Sequence, residues 1–200
     1  MWARRLAVLT PARRELWRAL GAVLLVAAWT AGSCIEVSAQ SPGKPAEYQI
    51  KAAFLCKFGN YVQWPPEVLG GGSDPFVIAV TGDDRITEEV SRASAGLLVE
   101  GRPIVVRTLR RGDPIAGVHL LFVARSDDRN LREWLTAARP LPVLTVTESD
   151  QGLALGSIIN FVVADNKVRF DVAPPPSDRA ALKVDSRLLG VARKVVSPTS

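Results

Sequence analysis

Between Phe76 and Thr147 short runs rich in apolar residues alternate with segments whose apolar residues recur every three or four positions. Residues 76–81 (FVIAVT), 104–109 (IVVRTL), 119–124 (HLLFVA) and 142–147 (PVLTVT) supply the runs. Runs this short suit strands buried on both faces, and their alternation with amphipathic segments predicts a largely parallel sheet with helices on both sides. The first such helix follows residue 81. Asp83 or Asp84 caps it, Ile86, Val90 and Ala93 line its apolar side, and Gly96 ends it. The second is expected after Ser126 as its cap, with Leu131, Trp134, Leu135 and Ala138 at helical spacing.

The pattern changes after residue 157. Runs at 158–164 and 167–172 are separated only by Asp165-Asn166, residues that tolerate the positive φ of a tight turn, so an antiparallel hairpin is expected. Val168, Phe170 and Val172 alternate with Lys167, Arg169 and Asp171, which predicts one wet face. Pro174-Pro175-Pro176 breaks the chain, a short helix is expected to start at Ala180-Ala181-Leu182, and a final one from about Ser186 should bury Leu188, Leu189, Ala192 and Val196. Upstream, a helix from Ala46 sets Ile50, Ala53, Phe54, Phe58 and Tyr61 on one face, with Trp64 closing the segment and Pro65-Pro66 stopping it. The expected fold is α/β: one layered domain over 46–197, with a mostly parallel sheet of about six strands flanked by helices, a C-terminal antiparallel hairpin and a terminal helix.

Residues 1–39 are read differently. Arg4, Arg5, Arg13, Arg14 and Arg18 form a basic region, an apolar run follows at 19–31, and Val37-Ser38-Ala39 places small residues at a signal-peptidase site. The order is that of a secretory signal peptide, and the run is short of the roughly 20 apolar residues a bilayer span needs. Cleavage near Ala39 and residence in the periplasm are expected, with 40–45 as a flexible leader to the domain. Lipidation at Cys34 is an alternative, although the leucine usual three residues earlier is Ala31; the arginine pairs lack the rest of a twin-arginine signature, and an uncleaved anchor is a third reading. The leader's arginines, set against Glu15 and Glu36, account for most of the formal +5 charge. What remains has no Lys/Arg run interleaved with aromatics, so no nucleic-acid partner is expected.

The chemistry-bearing residues are sparse. Cleavage leaves Cys56 as a free thiol without a disulfide partner, read as a small buried hydrophobe on the first helix. His119, the only histidine, opens an apolar run and reads as a hydrogen-bonded structural imidazole. No Gly-x-Ser-x-Gly elbow presents a nucleophile, and one histidine and one cysteine far apart make a poor metal set, so no catalytic residue, cofactor or metal is assigned. The loop Gly70-Gly71-Gly72-Ser73 has a phosphate cradle's glycines without its downstream Lys-Ser/Thr. Asp83-Asp84 and Asp127-Asp128, each after an apolar run, suggest the magnesium pocket of a phospho-receiver, but helix capping accounts for them more simply. A ligand crevice, if there is one, is expected at the carboxyl ends of the strands, with Asp83, Arg125 and Glu148 in its lining.

Several stretches taken in order, EYQIKAAFLCKFGNYVQWP, DPFVIAVTGDD, EGRPIVVRTL, HLLFVARSD, PVLTVTESDQGLALGSIINFVVADNKVRF and ALKVDSRLLGVARKV, resemble the YfiR family of periplasmic proteins, covering residues 46–196. The resemblance implies a regulatory role: a non-catalytic protein that binds the periplasmic sensing part of an inner-membrane diguanylate cyclase and represses it, lowering cyclic di-GMP and disfavouring biofilm. A homodimer is compatible with that role. Some members carry a cysteine directly before the histidine of the third strand; Val118 stands there in this chain, so a redox switch at that position is not implied. The second expectation is a periplasmic small-ligand binder that acts on another membrane sensor. For either role the leader should be absent from the exported protein, and N-terminal sequencing of a periplasmic fraction should begin near Gln40; an intact Met1 or a lipid on Cys34 would overturn simple cleavage.

Overall fold

The computed structural model describes residues 43–70, 74–175 and 182–197. The leader expected at 1–39, residues 40–42 after it, 71–73 of the glycine loop and Ala180-Ala181 lie outside the described residues; the short helix expected to start at Ala180-Ala181-Leu182 does not continue into the described part, where Leu182 is irregular and Lys183–Val184 is a strand. In chain order the elements are helix α1 (Lys44–Phe58), strands β1 (Val62–Gln63) and β2 (Phe76–Thr81), helix α2 (Asp84–Ser94), and strands β3 (Leu98–Val99), β4 (Arg102–Leu109) and β5 (Leu120–Val123). Helix α3 (Leu131–Ala138) follows, then strands β6 (Leu144–Thr147), β7 (Ile159–Ala164), β8 (Lys167–Val172) and β9 (Lys183–Val184), helix α4 (Ser186–Val191) and strand β10 (Lys194–Val195).

Eight strands form one sheet in the order β10-β8-β7-β6-β5-β2-β4-β3, while β1 and β9 pair with each other. The central run β4-β2-β5-β6-β7 is parallel throughout. The antiparallel hairpin of β7 and β8 extends one side, and its Asp165 and Asn166 take φ of 50° and 57°, the paired positive values a two-residue turn requires. The six expected strands are therefore all present as β2, β4, β5, β6, β7 and β8. The four additional strands have only two residues each, too few for a periodicity to reveal.

Parallel neighbours can be joined only by crossing a face of the sheet. Alternate residues of β2 show where the crossings lie: Phe76, Ile78 and Val80 pack with Ile86 and Val90 of α2, whereas Val77 and Ala79 pack with Leu131, Trp134, Leu135 and Ala138 of α3. The sheet thus has a core on each side, and its strand order reverses direction between β2 and β5. Helix α1 shares the α2 side. Its Phe54 and Phe58 stack on each other and meet Phe161 and Phe170 of the hairpin, with ring centroids 5.2–6.1 Å apart. Such aromatic pairs contribute about 0.5–1.5 kcal/mol each beyond area burial, so they fasten the start of the domain to its end.

Six local expectations are corrected. Helix α1 starts at Lys44, with Pro45 in its first turn where a missing N–H costs nothing, so 44–45 belong to the helix and not to a flexible leader. It ends at Phe58, followed by a 3₁₀ turn at Gly59–Tyr61, and Trp64 lies beyond β1. Its inward face is Lys51, Ala52, Leu55, Cys56 and Phe58; Ile50 and Ala53 are exposed. The stretch AAFLC is apolar all round, so its spacing admits two faces, and the aromatic cluster selects one. Ser126 caps no α-helix. It lies in a 3₁₀ segment, Arg125–Asn130, and its hydroxyl donates to the carbonyl of Gly82 at 2.6 Å. The terminal helix α4 stops at Val191 after six residues, so Ala192 and Val196 are only part-buried beyond its end. The chain then becomes β10, parallel to β8, and Arg193 binds Asp171 at 2.8 Å, which buries a carboxylate expected to be wet.

His119 sits just before β5 between two backbone groups. Its Nδ1 accepts from the amide of Val77 at 3.0 Å, which leaves Nε2–H to donate to the carbonyl of Val68 at 3.2 Å. Both nitrogens are engaged in the neutral ring. Burial, aided by the charge of Arg102 and opposed by the bond to Val68, lowers its pKa below the ordinary 6.5. The folded state therefore resists a proton that the unfolded chain accepts, so this contribution is complete above the unfolded pKa and is lost as pH falls. Stability should decline below about pH 6.5 by at most about 1.4 kcal/mol per pH unit. Denaturant titrations of the wild type and His119→Gln should show the mutant less stable at pH 7 but with a flatter profile down to about pH 5.5. Parallel profiles would overturn the assignment.

Candidate functional site

Where the strand order of a parallel sheet reverses, the loops on either side leave in opposite directions and open a crevice at the strands' carboxyl ends. Here the reversal lies between β2 and β5. The loop after β2 brings Asp83, the loop after β5 brings Arg125 and Ser126, and the loop after β6 brings Glu148 and Asp150. The first turns of α1 form the facing wall with Lys44, Glu47, Tyr48 and Lys51, and the end of β7 closes one side with Val162, Val163 and Ala164. The crevice encloses about 650 Å³, within the range of small-ligand sites.

Asp83, Arg125 and Glu148, the three residues expected to line such a crevice, lie together in it. Gly82 makes the approach of the two loops possible. Its φ of +86° is left-handed, and a Cβ there would stand 2.6 Å from the Cβ of Asp127. Asp83 serves twice: one carboxylate oxygen caps α2 by accepting from the amide of Arg85 at 2.9 Å, and the other accepts from the Tyr48 hydroxyl at 3.0 Å. That hydrogen bond is the main reason the Tyr48 phenol is raised above its ordinary pKa, with burial second. Of the other aspartates, Asp127 holds the Asn130 amide and the Trp134 indole at 2.6 and 2.7 Å, an N-terminal clamp on α3 made from side chains.

Among the described residues the most buried charge is Lys51, which sequence reasoning did not place in the site. Its ammonium, on a residue 5 % exposed, pairs with Glu148 across the crevice and with Glu47 one turn back on α1. Burial is the largest single influence on the amine and favours its neutral form. The attraction and hydrogen bond of Glu148, then those of Glu47, together outweigh it and leave the pKa above the ordinary range. Glu148 also accepts from the backbone amide of Arg125 at 2.7 Å, so both its oxygens are used. The Arg125 guanidinium itself turns outward to Asp150 at 3.4 Å. A lysine locked in the charged form is a poor nucleophile and a good fixed cation. The available signals were the Glu47–Lys51 spacing of four and a lone charge within an apolar helical stretch.

Cys56, on the same helix, faces the core instead. It is 2 % exposed, its thiol points to the carbonyl of Val90 at 3.8 Å, and burial pushes its pKa up to about 11. So high a value disfavours the thiolate on which redox and nucleophilic chemistry depend. Among the described residues, no group of three or more His, Cys, Asp and Glu side chains is arranged to hold a metal ion, and no helix is long and apolar enough to cross a membrane.

The fold is that of a doubly wound α/β protein, with a crevice at the switch point whose charged groups are held in ion pairs between strand-end loops and α1. A comparison with protein families matches residues 48–193 to the YfiR/HmsC-like family. The chain belongs to that family, and the match runs from the first helix through Arg193, just before β10. No curated protein matches it.

Lys51 should be structural as well as site-forming, because removing it leaves Glu148 facing Glu47 across a partly buried gap. Lys51→Met should cost about 3 kcal/mol, within the range for breaking a buried pair, while Lys51→Met combined with Glu148→Gln should recover part of that loss. Urea melts of the singles and the double check it; additive losses would show that the two groups do not interact.

Proposed function

We propose that this chain works in the periplasm as a non-catalytic regulator, binding the periplasmic sensing domain of an inner-membrane diguanylate cyclase and holding it inactive. The observation that carries the reading is the YfiR/HmsC-like match over residues 48–193, which spans almost the whole domain. The leader supplies a route to the compartment. A regulator shifts a two-state enzyme only by binding one state more tightly than the other, and a surface suffices for that. The surface proposed is on α1 and α4, where Ile50 and Val191 are 38 % and 67 % exposed.

A second reading is favoured by the crevice itself: Asp83, Arg125 and Glu148 line a small-ligand site whose occupancy acts on another membrane sensor. Glu148 is already bonded on both oxygens, so the groups with capacity left at the mouth are Lys44, the Arg125 guanidinium and Asp150. That set suits a small zwitterion.

Deleting the gene should raise cyclic di-GMP severalfold in a strain that expresses the partner cyclase, and complementation should restore it. Ile50→Glu and Val191→Glu, both at exposed positions, should fail to restore repression while melting like the wild type. Unchanged cyclic di-GMP on deletion would remove the cyclase reading and leave the ligand-binding one.

A further inference from the structure

We propose that the outer edge of β4 is a docking strand, which takes up an extended segment of a partner protein bearing apolar residues and carboxylates. The inference rests on the reading of this chain as an interaction protein, and not on the partner being a cyclase.

Strand β3 covers only the start of that edge, pairing with Arg102 and Pro103. Glu100 and Gly101 between the strands take φ of 48° and 77°, the two-residue turn that makes Val99 and Arg102 the hydrogen-bonded flanking pair. Backbone groups alternate in direction along a strand, so Ile104, Val106 and Thr108 turn their N–H and C=O groups to the same side as Arg102, away from β2. Among the described residues no strand pairs with them there. A run of unpaired backbone donors and acceptors is a template for one more strand.

The side chains beside this edge specify the occupant. Pro103, Val105 and Arg107 lie on the α3 side of the sheet, in register with Val77 and Ala79, but the core beneath α3 does not include them. Val105 is 42 % exposed, and Leu98, opposite Pro103, is 55 % exposed. The apolar strip then passes into Arg107, and Arg110 follows just past the end of β4; both are exposed and neither guanidinium is ion-paired among the described residues, while the Arg110 amide donates to Asp113 at 2.8 Å. An added strand would continue the line of β3, with apolar groups beside Val105 and carboxylates beside Arg107 and Arg110. A second copy of the chain, paired across a two-fold axis, would instead bring two sets of these arginines together, which like charge disfavours.

The test uses the exported protein and two nine-residue peptides of threonine and valine, one with glutamates at the fourth and sixth positions, the other with lysines there. By fluorescence anisotropy the glutamate peptide should bind about tenfold more tightly than the lysine peptide, and Arg107→Glu should reverse that order. Hydrogen exchange should show the amides of Ile104, Val106 and Thr108 protected only when the glutamate peptide is bound. Val106→Pro deletes one outward N–H and no ladder bond but trims a half-buried side chain, so it should melt below the wild type, stay folded and lose binding. If that variant fails to fold, the Arg107→Glu reversal still decides. Equal or absent binding of the two peptides would overturn the proposal. So would protection of these amides in the free protein that grows with concentration alongside dimer in the ultracentrifuge. The peptide assay contains no cyclase, so its failure leaves the cyclase reading intact, and unchanged cyclic di-GMP on deletion leaves this proposal intact.

Discussion

Strand β2 must be covered on both faces, and most of the molecule follows from that. All six of its residues are buried. A parallel strand in this position has no wet side, so the chain must lay helices above and below the sheet before the core closes. With α2 carrying the chain to one flank and α3 serving the other, the strand order has to reverse somewhere, and the reversal falls beside β2. The crevice is therefore a consequence of how the sheet is covered. Its floor is the strand-end loops, and α1 and the end of β7 wall it.

That geometry also explains why charge collects there. Strand ends turn backbone groups and loop side chains toward the same opening, and α1 lies across it. Lys51 becomes the point where helix and strand ends meet: Glu47 holds it from within the helix, Glu148 from the sheet. Taking an ammonium from water is costly, and two converging carboxylates offset that cost while the Arg125 amide satisfies the other oxygen of Glu148. A network of this kind fixes geometry more than it adds stability. It pins the first turns of α1 across the strand ends, on the face that the aromatic cluster selects.

Legibility in the sequence followed the range of the interaction. Strand β2, the capping of α2 by Asp83 and the Asp165-Asn166 turn were readable because each depends on neighbours within a few residues. The inward face of α1 was not, because Ala52, Ala53, Phe54 and Leu55 are all apolar and only Phe161 and Phe170, far along the chain, decide between the two faces. Ser126 looked like a cap, since its type and position fit one. Its hydroxyl was taken by Gly82, on a loop that sequence distance does not connect to it. For the crevice, three strand-end residues were legible from the rule about switch points, whereas the α1 wall was not, because nothing local says which helix crosses that end.

Local pattern in the chain was enough for the alternation of elements, and with it a mostly parallel sheet and an antiparallel hairpin, since periodicity, capping and turn chemistry act over one or two turns of chain. The sequence by itself also carried the family resemblance, which is a property of ordered residues. Tertiary structure decided which face of α1 is inside, that Lys51 rather than any strand-end residue is the buried charge of the crevice, that the last residues form a strand instead of more helix, and that the outer side of β4 stays unpaired. These depend on which distant segments arrive as neighbours. Short apolar stretches leave that choice degenerate, and it is resolved only when the whole core packs at once.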